Sequence, residues 1–195
     1  MKIGIIGSNG FIGSNLFSYL NNLKFFEVYK FSSFKKNKKR WIEVISREIK
    51  LQKPNLIINC AADQNLKNDD KAIIGLIESN LKANAIFLNT ASKSKNFIGY
   101  ITFGSKWEYN EKGKFQPLNF YASTKHANDI FLKYYSIKKK ITTVSLKVFD
   151  TYGVNDSRQR VLNLLLKKYK QRKILNITPG NQYLDYVHII DLCQL

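Results

Sequence analysis

Short β-branched apolar runs recur along the chain at 2–6, 26–31, 55–59, 98–103 and 142–149. Between them lie longer stretches with apolar residues three and four apart, at 11–21, 41–50, 71–94, 121–137 and 157–172. That alternation predicts strand–helix–strand units, and crossover helices on both faces imply a parallel sheet buried between them. Pro54 stands just ahead of the third run, where it ends the preceding helix. From Ile174 the pattern changes to a short strand, a Pro179-Gly180 turn and an apolar run over 183–190. The reading is an α/β, doubly wound parallel sheet over residues 1–173, followed over 174–195 by the start of a smaller lobe that is expected to be cut short.

Composition fits one such domain. The 195 residues are 44% hydrophobic and 13% aromatic, enough apolar surface to offset the ordering entropy of a real core. The unusual quantity is charge: 32 Lys and Arg against 14 Asp and Glu give +18, a balance that points toward polyanionic partners. The lysines form three separated runs, at 35–40, 138–140 and 167–173. Cys60 and Cys193 stand far apart, and His126 and His188 have no Cys/His company, so reduced thiols and no metal are expected. No secretory leader and no run of eighteen apolar residues is present, so no membrane span is expected and the expected compartment is the cytoplasm.

The first strand runs directly into Gly7-Ser8-Asn9-Gly10-Phe11-Ile12-Gly13 and then a helix. In that context Gly7 permits a tight turn, Gly10 lets backbone approach a pyrophosphate, and Gly13 allows close helix–strand packing. The helix start at Phe11 and Ile12 adds unpaired N–H groups and a positive dipole. This is a dinucleotide cradle of the Rossmann type. At the end of the second strand an acidic residue would bond the ribose 2′-hydroxyl of NAD, but the chain reads Phe31-Ser32-Ser33-Phe34-Lys35-Lys36. Ser32, Ser33 and Lys35 suit the extra phosphate, so NADP is favoured and NAD stays open.

Tyr121-Ala122-Ser123-Thr124-Lys125 opens a predicted helix, and residues four apart share a helix face. A phenol with a reference pKa near ~10 is a poor acid or base at neutral pH. A lysine ammonium beside it lowers that pKa and makes proton transfer practical. Ser105 lies just beyond the strand at 98–103, on the sheet edge where ligands bind, and offers a hydroxyl to a substrate carbonyl or alcohol.

Taken together, these motifs resemble the extended short-chain dehydrogenase/reductase family, in its NAD(P)-dependent epimerase/dehydratase group acting on nucleotide sugars. The likeness covers nearly the whole chain. It is carried further by the run from Lys53 to Ala62, by Asn80 with Asn84 and Thr90, by the strand from Lys147 to Gly153, and by Asp185-Tyr186-Val187-His188-Ile189-Ile190-Asp191-Leu192. The resemblance implies that Tyr121 is the acid/base, that Lys125 binds the coenzyme ribose and tunes Tyr121, and that Ser105 bonds the substrate oxygen. It also implies that Ala61 and Ala62 pass under the cofactor, that Asn80 belongs to the cofactor site, and that the two long helices, 71–94 and 121–137, form a homodimer.

Departures from the family pattern narrow the chemistry. Dehydratases of the family carry an Asp-Glu pair after the serine, and this chain has Lys106-Trp107, which argues against elimination of water. Leu184 stands where many members hold nucleotide phosphates with an arginine, so Arg158, Arg160 or Lys147 would have to serve. Asp150 stands where the family usually has Asn. Glu108 is expected to face solvent or to cap a turn, and His126 to be a bystander. The reading is an NADP-dependent reductase of a 4-keto-6-deoxy sugar nucleotide, with an NAD-dependent 4-epimerase as the alternative. A non-catalytic basic protein binding nucleic acid is the remote third, because a dedicated binder would gather its charge and aromatics in one segment.

Overall fold

The structure, a computed structural model, describes residues 1–32, 40–181 and 184–195. It separates into two compact units, Met1–Val148 and Phe149–Leu195. The division falls ahead of the boundary at 173 expected from the sequence, because the strand that follows Val148 pairs with one near the C-terminus rather than with the main sheet.

In the first unit β1 (Lys2–Ile6), β2 (Glu27–Lys30), β3 (Leu56–Asn59), β4 (Gly99–Ser105) and β5 (Thr142–Val148) form one sheet in the order β2-β1-β3-β4-β5. Every pairing is parallel. The chain moves from β1 to β2 on one side and then crosses to β3 on the other, so the crevice of this doubly wound sheet opens at the carboxyl ends of β1 and β3. The connections are α1 (Phe11–Asn22), α2 (Trp41–Gln52), α3 (Asp70–Leu76), a π-helical turn Ile77–Lys82, α4 (Ala83–Ala91) and α5 (Phe120–Lys139). The core joins Ile6 and Ile57 of the sheet to Ile45 and Ile49 of α2, Phe87 and Leu88 of α4, and Leu132 of α5.

Local chemistry sets the ends. Asp69 caps α3 by accepting from the Ala72 N–H (2.9 Å), and Asn119 caps α5 by accepting from the Ala122 N–H (2.9 Å). Lys53, left-handed at φ 46°, closes α2 by donating to the Ile49 carbonyl just before Pro54. Lys138 and Lys139 occupy the last turn of α5, where cations complement the helix dipole.

Three expectations change. The long helix expected at 71–94 is interrupted by the π turn and ends at Ala91. The strand at 98–103 extends to Ser105, which is itself the last strand residue. No strand follows Ile174 among the described residues up to 181. In the second unit β6 (Asp150–Tyr152) pairs in parallel with β7 (Tyr186–His188), and α6 (Val161–Lys170) and α7 (Ile189–Gln194) complete it. Its apolar C-terminal run therefore becomes a strand followed by a helix, with His188 Nδ1 accepting from the Ile190 N–H (3.4 Å) as the cap.

Candidate active site

The glycine turn lies at the crevice. Gly7 has φ +77°, and a Cβ there would stand 2.5 Å from the Ala61 N, so the turn closes against the segment leaving β3. Gly10 is different. A Cβ at Gly10 would meet no protein atom nearer than the Gly7 carbonyl oxygen at 3.4 Å, an ordinary contact, so packing within the protein does not require glycine there. Gly10 is the N-cap of α1, no side chain caps that helix, and its first turn carries no acid. The room at Gly10, at a helix start that no side chain caps, suits the close approach of a pyrophosphate, whereas Gly13 is needed for packing, since a Cβ there would stand 2.3 Å from the Gly7 carbonyl oxygen.

A buried polar network fixes the wall opposite. The Asn59 Oδ1 accepts from the Ala61 N–H (3.0 Å), and the Asn59 amide donates to Asn84 Oδ1 (2.7 Å) and to the Tyr100 oxygen (3.1 Å). Tyr100 donates in turn to Asn84 Oδ1 (3.0 Å), and burial raises its phenol pKa well above the usual range. Asn80 accepts from the Asp63 N–H (2.9 Å) and donates both amide hydrogens, to the Asp63 carbonyl (3.0 Å) and the Thr124 Oγ (3.1 Å). Its donors are thus spent within the protein. Asn80 ties the segment that carries Ala61 and Ala62 to α5 at the residue before Lys125. Cys60 falls in this same segment, just past β3, and is half-buried.

Ser32 does not offer a phosphate the donors expected of it. Its N–H donates to Glu48 Oε2 (2.8 Å) and its hydroxyl donates to Glu48 Oε1, so a carboxylate from α2 reaches the end of β2. Ser33 and Lys35 lie outside the described residues.

Ser105, Tyr121 and Lys125 all sit in the first unit and are all buried, at 8%, 6% and 8% relative exposure. Ser105 ends β4 and its Oγ accepts from the Trp107 N–H (3.2 Å), which leaves the hydroxyl hydrogen to be donated elsewhere. Tyr121 lies in the first turn of α5, with Trp107 edge-on to its ring at 6.2 Å. The Lys125 ammonium lies 5.8 Å from the centre of the Tyr121 ring. Burial lowers the Lys125 pKa to about 8, against the pull of Glu108; Lys147 lowers it further, and Cys60 and Asp129 raise it.

Glu108 is wholly buried rather than facing solvent. Its Oε1 accepts from the Ser105 N–H (2.6 Å) in a capping box over the 3-10 turn Lys106–Glu108, and its Oε2 meets the Lys147 Nζ at 2.5 Å. Lys147 also holds Asp129 at 2.5 Å. Burial opposes its charge, but these two carboxylates outweigh burial and raise its pKa. His126 joins them, with Nδ1 3.5 Å from Glu108 and its ring stacked on Phe115. Glu108, His126 and Asp129 bring their ligand atoms within 4.8 Å of one another, and the cation between the two carboxylates is the Lys147 ammonium. Lys147 is therefore paired with two carboxylates. Arg158 is paired too, donating to Asp156 (2.7 Å) and the Thr151 carbonyl (2.7 Å) in the second unit.

With that geometry in place, a profile of the NAD dependent epimerase/dehydratase family matches residues 3–195. The chain belongs to that family. Family members are enzymes that depend on a nicotinamide dinucleotide. Among curated members, a CDP-abequose synthase of Yersinia pseudotuberculosis is 29% identical over all of this chain and 71% of its own length. A GDP-6-deoxy-D-talose 4-dehydrogenase of Aggregatibacter actinomycetemcomitans is 23% identical over all of this chain and 68% of its own. Among solved structures, the UDP-glucuronic acid 4-epimerase of Bacillus cereus, in complex with UDP-glucuronic acid and NAD, shares the fold. Its TM-score is 0.83 at 21% identity, over all of this chain and 71% of that one. No helix among the described residues is long and apolar enough to cross a membrane.

Proposed function

We propose that this chain reduces a keto group on a nucleotide-linked sugar, a 4-keto-6-deoxy sugar in particular, with Tyr121 as proton donor. The observation that carries the reading is the joint burial of Ser105 at the carboxyl end of β4 and of Tyr121 and Lys125 at the start of α5, with the Lys125 ammonium 5.8 Å from the Tyr121 ring centre. Bound nicotinamide coenzyme supplies the hydride. The residues supply the rest. The Ser105 hydroxyl, its lone pair engaged by Trp107, donates to the carbonyl oxygen and polarises it. Tyr121 delivers the proton as charge builds on that oxygen, and the Lys125 ammonium stabilises the phenolate left behind. Lys106 and Trp107 offer no pair of carboxylates to remove water, so the chemistry stops at reduction.

The CDP-abequose synthase and the 4-dehydrogenase among the relatives support chemistry at a deoxysugar carbonyl. NADPH is the proposed coenzyme, on the lysines that follow Ser32; Ser32 itself is spent on Glu48 and no longer supports that choice. The second reading, a 4-epimerase retaining NAD, is favoured by the fold shared with the UDP-glucuronic acid 4-epimerase.

A second copy of the chain is the proposed partner. Ile130, Tyr134 and Ile137 form an exposed stripe along α5, and Ile74 and Ile77 are exposed on the neighbouring α3 and π turn, which pack against α5. Such a stripe suits a helix-to-helix dimer contact.

The test mixes the protein with NADPH or NADH and a panel of 4-keto-6-deoxy sugar nucleotides. A reductase oxidises one coenzyme per sugar. An epimerase leaves added coenzyme untouched and interconverts 4-hydroxy sugars, and that outcome would replace the first reading with the second.

A further inference from the structure

The reduction reading uses Ser105, Tyr121 and Lys125 and leaves the charged cluster behind them without a task. That cluster is built with care for space. Gly104 precedes Ser105 on β4, and a Cβ there would stand 2.6 Å from Glu108 Oε1 and 2.8 Å from the Lys147 Nζ. A side chain at Gly104 would displace the pair. Glu108 belongs to the 3-10 turn, Lys147 to β5, and Asp129 and His126 to α5, so three elements meet behind the serine.

A turn cap alone does not call for this arrangement. A glutamine would also accept from the Ser105 N–H, but its NH2 would then face the Lys147 ammonium and lose the 2.5 Å contact that locks the side chain, and a buried carboxylate is costly unless paired and hydrogen-bonded. The negative charge is matched by Lys147, and between them they bring two carboxylates, Glu108 and Asp129, to the side of two ammonium groups, Lys125 and Lys147. The groups acting on Lys125 are Glu108 from the turn, Lys147 from β5, Cys60 from the segment after β3, and Asp129 and Tyr121 from its own helix.

Resting on the reduction reading, we propose that Glu108 is a positioning residue for the reaction. Locked between the Ser105 N–H (2.6 Å) and the Lys147 ammonium (2.5 Å), it aims the Ser105 hydroxyl at the substrate oxygen. Two links follow from one side chain. Rotation of the Ser105 backbone would turn Oγ away from the carbonyl and weaken donation to it. Loss of the carboxylate would leave Lys125 with one compensating charge fewer in a buried site, and Tyr121 with a weaker partner.

The experiment compares wild type, Glu108→Gln and the charge-neutral pair Glu108→Gln/Lys147→Gln, using the keto-sugar nucleotide that the wild type reduces. Glu108→Gln is expected to lower kcat by about 10-fold or more, as for a misaimed hydrogen-bond donor. KM and coenzyme affinity should stay within about 3-fold of wild type, since the lost interaction acts in the reacting complex. The alkaline limb of kcat should move to lower pH. So should the Lys125 side-chain titration, followed by NMR of 13C-lysine protein with Lys125→Met to assign the signal. The double variant also takes from Asp129 the Lys147 ammonium that Glu108→Gln retains, so it should be the less stable of the two and recover no kcat. A merely structural glutamate would lower the melting temperature and leave the Lys125 titration and the pH limb where they were, and that result overturns the proposal. Wild-type turnover with an unaltered Glu108→Gln rate overturns it as well. A wild type that reduces no keto-sugar nucleotide removes the reduction reading and the proposal together.

Discussion

Lys125 is held where its protonation decides its use. Its folded pKa of about 8 lies below the ordinary lysine value of 10.5, and burial is the main cause. A depressed lysine pKa means that the fold carries the cost of a buried ammonium at pH below about 8. Stability therefore rises with pH between about 8 and 10.5, where the unfolded chain still binds a proton that the folded chain has released. Activity runs the other way: above about 8 the ammonium beside Tyr121 is lost, so kcat should fall with an alkaline midpoint near 8. A pH–rate profile flat from 7 to 9.5 would contradict this assignment. Tyr121→Phe should cost about 10²- to 10⁴-fold in kcat, the usual worth of a positioned acid, with coenzyme affinity retained by equilibrium titration. At Gly10, where the protein leaves room for a Cβ, Gly10→Ala should reduce coenzyme affinity while leaving the melting temperature within a few degrees of wild type. Gly7→Ala should lose both, because its left-handed φ and the Ala61 backbone leave no room.

At the scale of elements, what could be read from sequence was the local part. Strand cores follow from period and β-branching, so the pattern places β1 at its observed ends and β2 to β5 within a residue or two, while α6 begins four residues later than the stretch at 157–172 suggests. The π turn within the predicted 71–94 helix was not visible, because one extra residue per turn leaves apolar spacing nearly unchanged. Nor was the burial of Glu108, whose partner Lys147 lies 39 residues away, or the reach of Glu48 to Ser32 from 16 residues on. An isolated acid in a sequence reads the same whether it faces water or a lysine. Asn80 illustrates the middle case. The resemblance placed it in the site, and the structure gives it the task of tying Asp63 to Thr124. The Asn59–Asn84–Tyr100 network joins β3, α4 and β4 in the same way, and its loss should be felt across all three. Asn84→Ala takes one hydrogen-bond partner each from the buried Asn59 amide and Tyr100 hydroxyl and should cost about 2–4 kcal/mol in urea unfolding. Tyr100→Phe removes one member that both donates and accepts, and should cost about half as much. Equal costs for the two would mean that Asn84 is not the hub.

At the scale of the whole molecule, the charge of +18 takes a narrower meaning than a polyanion surface. Lys138 and Lys139 end α5 on the favourable side of its dipole, Lys147 neutralises Glu108 and Asp129, and Lys125 belongs to the site. Of the cations suggested for the substrate phosphates, Arg158 and Lys147 already have acidic partners within their own units. The α5 stripe supplies a separate expectation. Wild type should sediment as a dimer at micromolar concentration, and Ile130→Asp/Ile137→Asp should halve the mass without loss of the fold; a monomeric wild type would remove that contact. The central claim, that Tyr121 and the coenzyme cradle together reduce a sugar carbonyl, is tested most directly by label transfer. Nicotinamide coenzyme carrying deuterium at its transferable C4 position is incubated with a 4-keto-6-deoxy sugar nucleotide, and the sugar is examined by mass spectrometry. The account predicts one deuterium on the sugar carbon per coenzyme oxidised with wild type, and none above background with Tyr121→Phe. Equal transfer by Tyr121→Phe, or an unlabelled product from wild type, would contradict it.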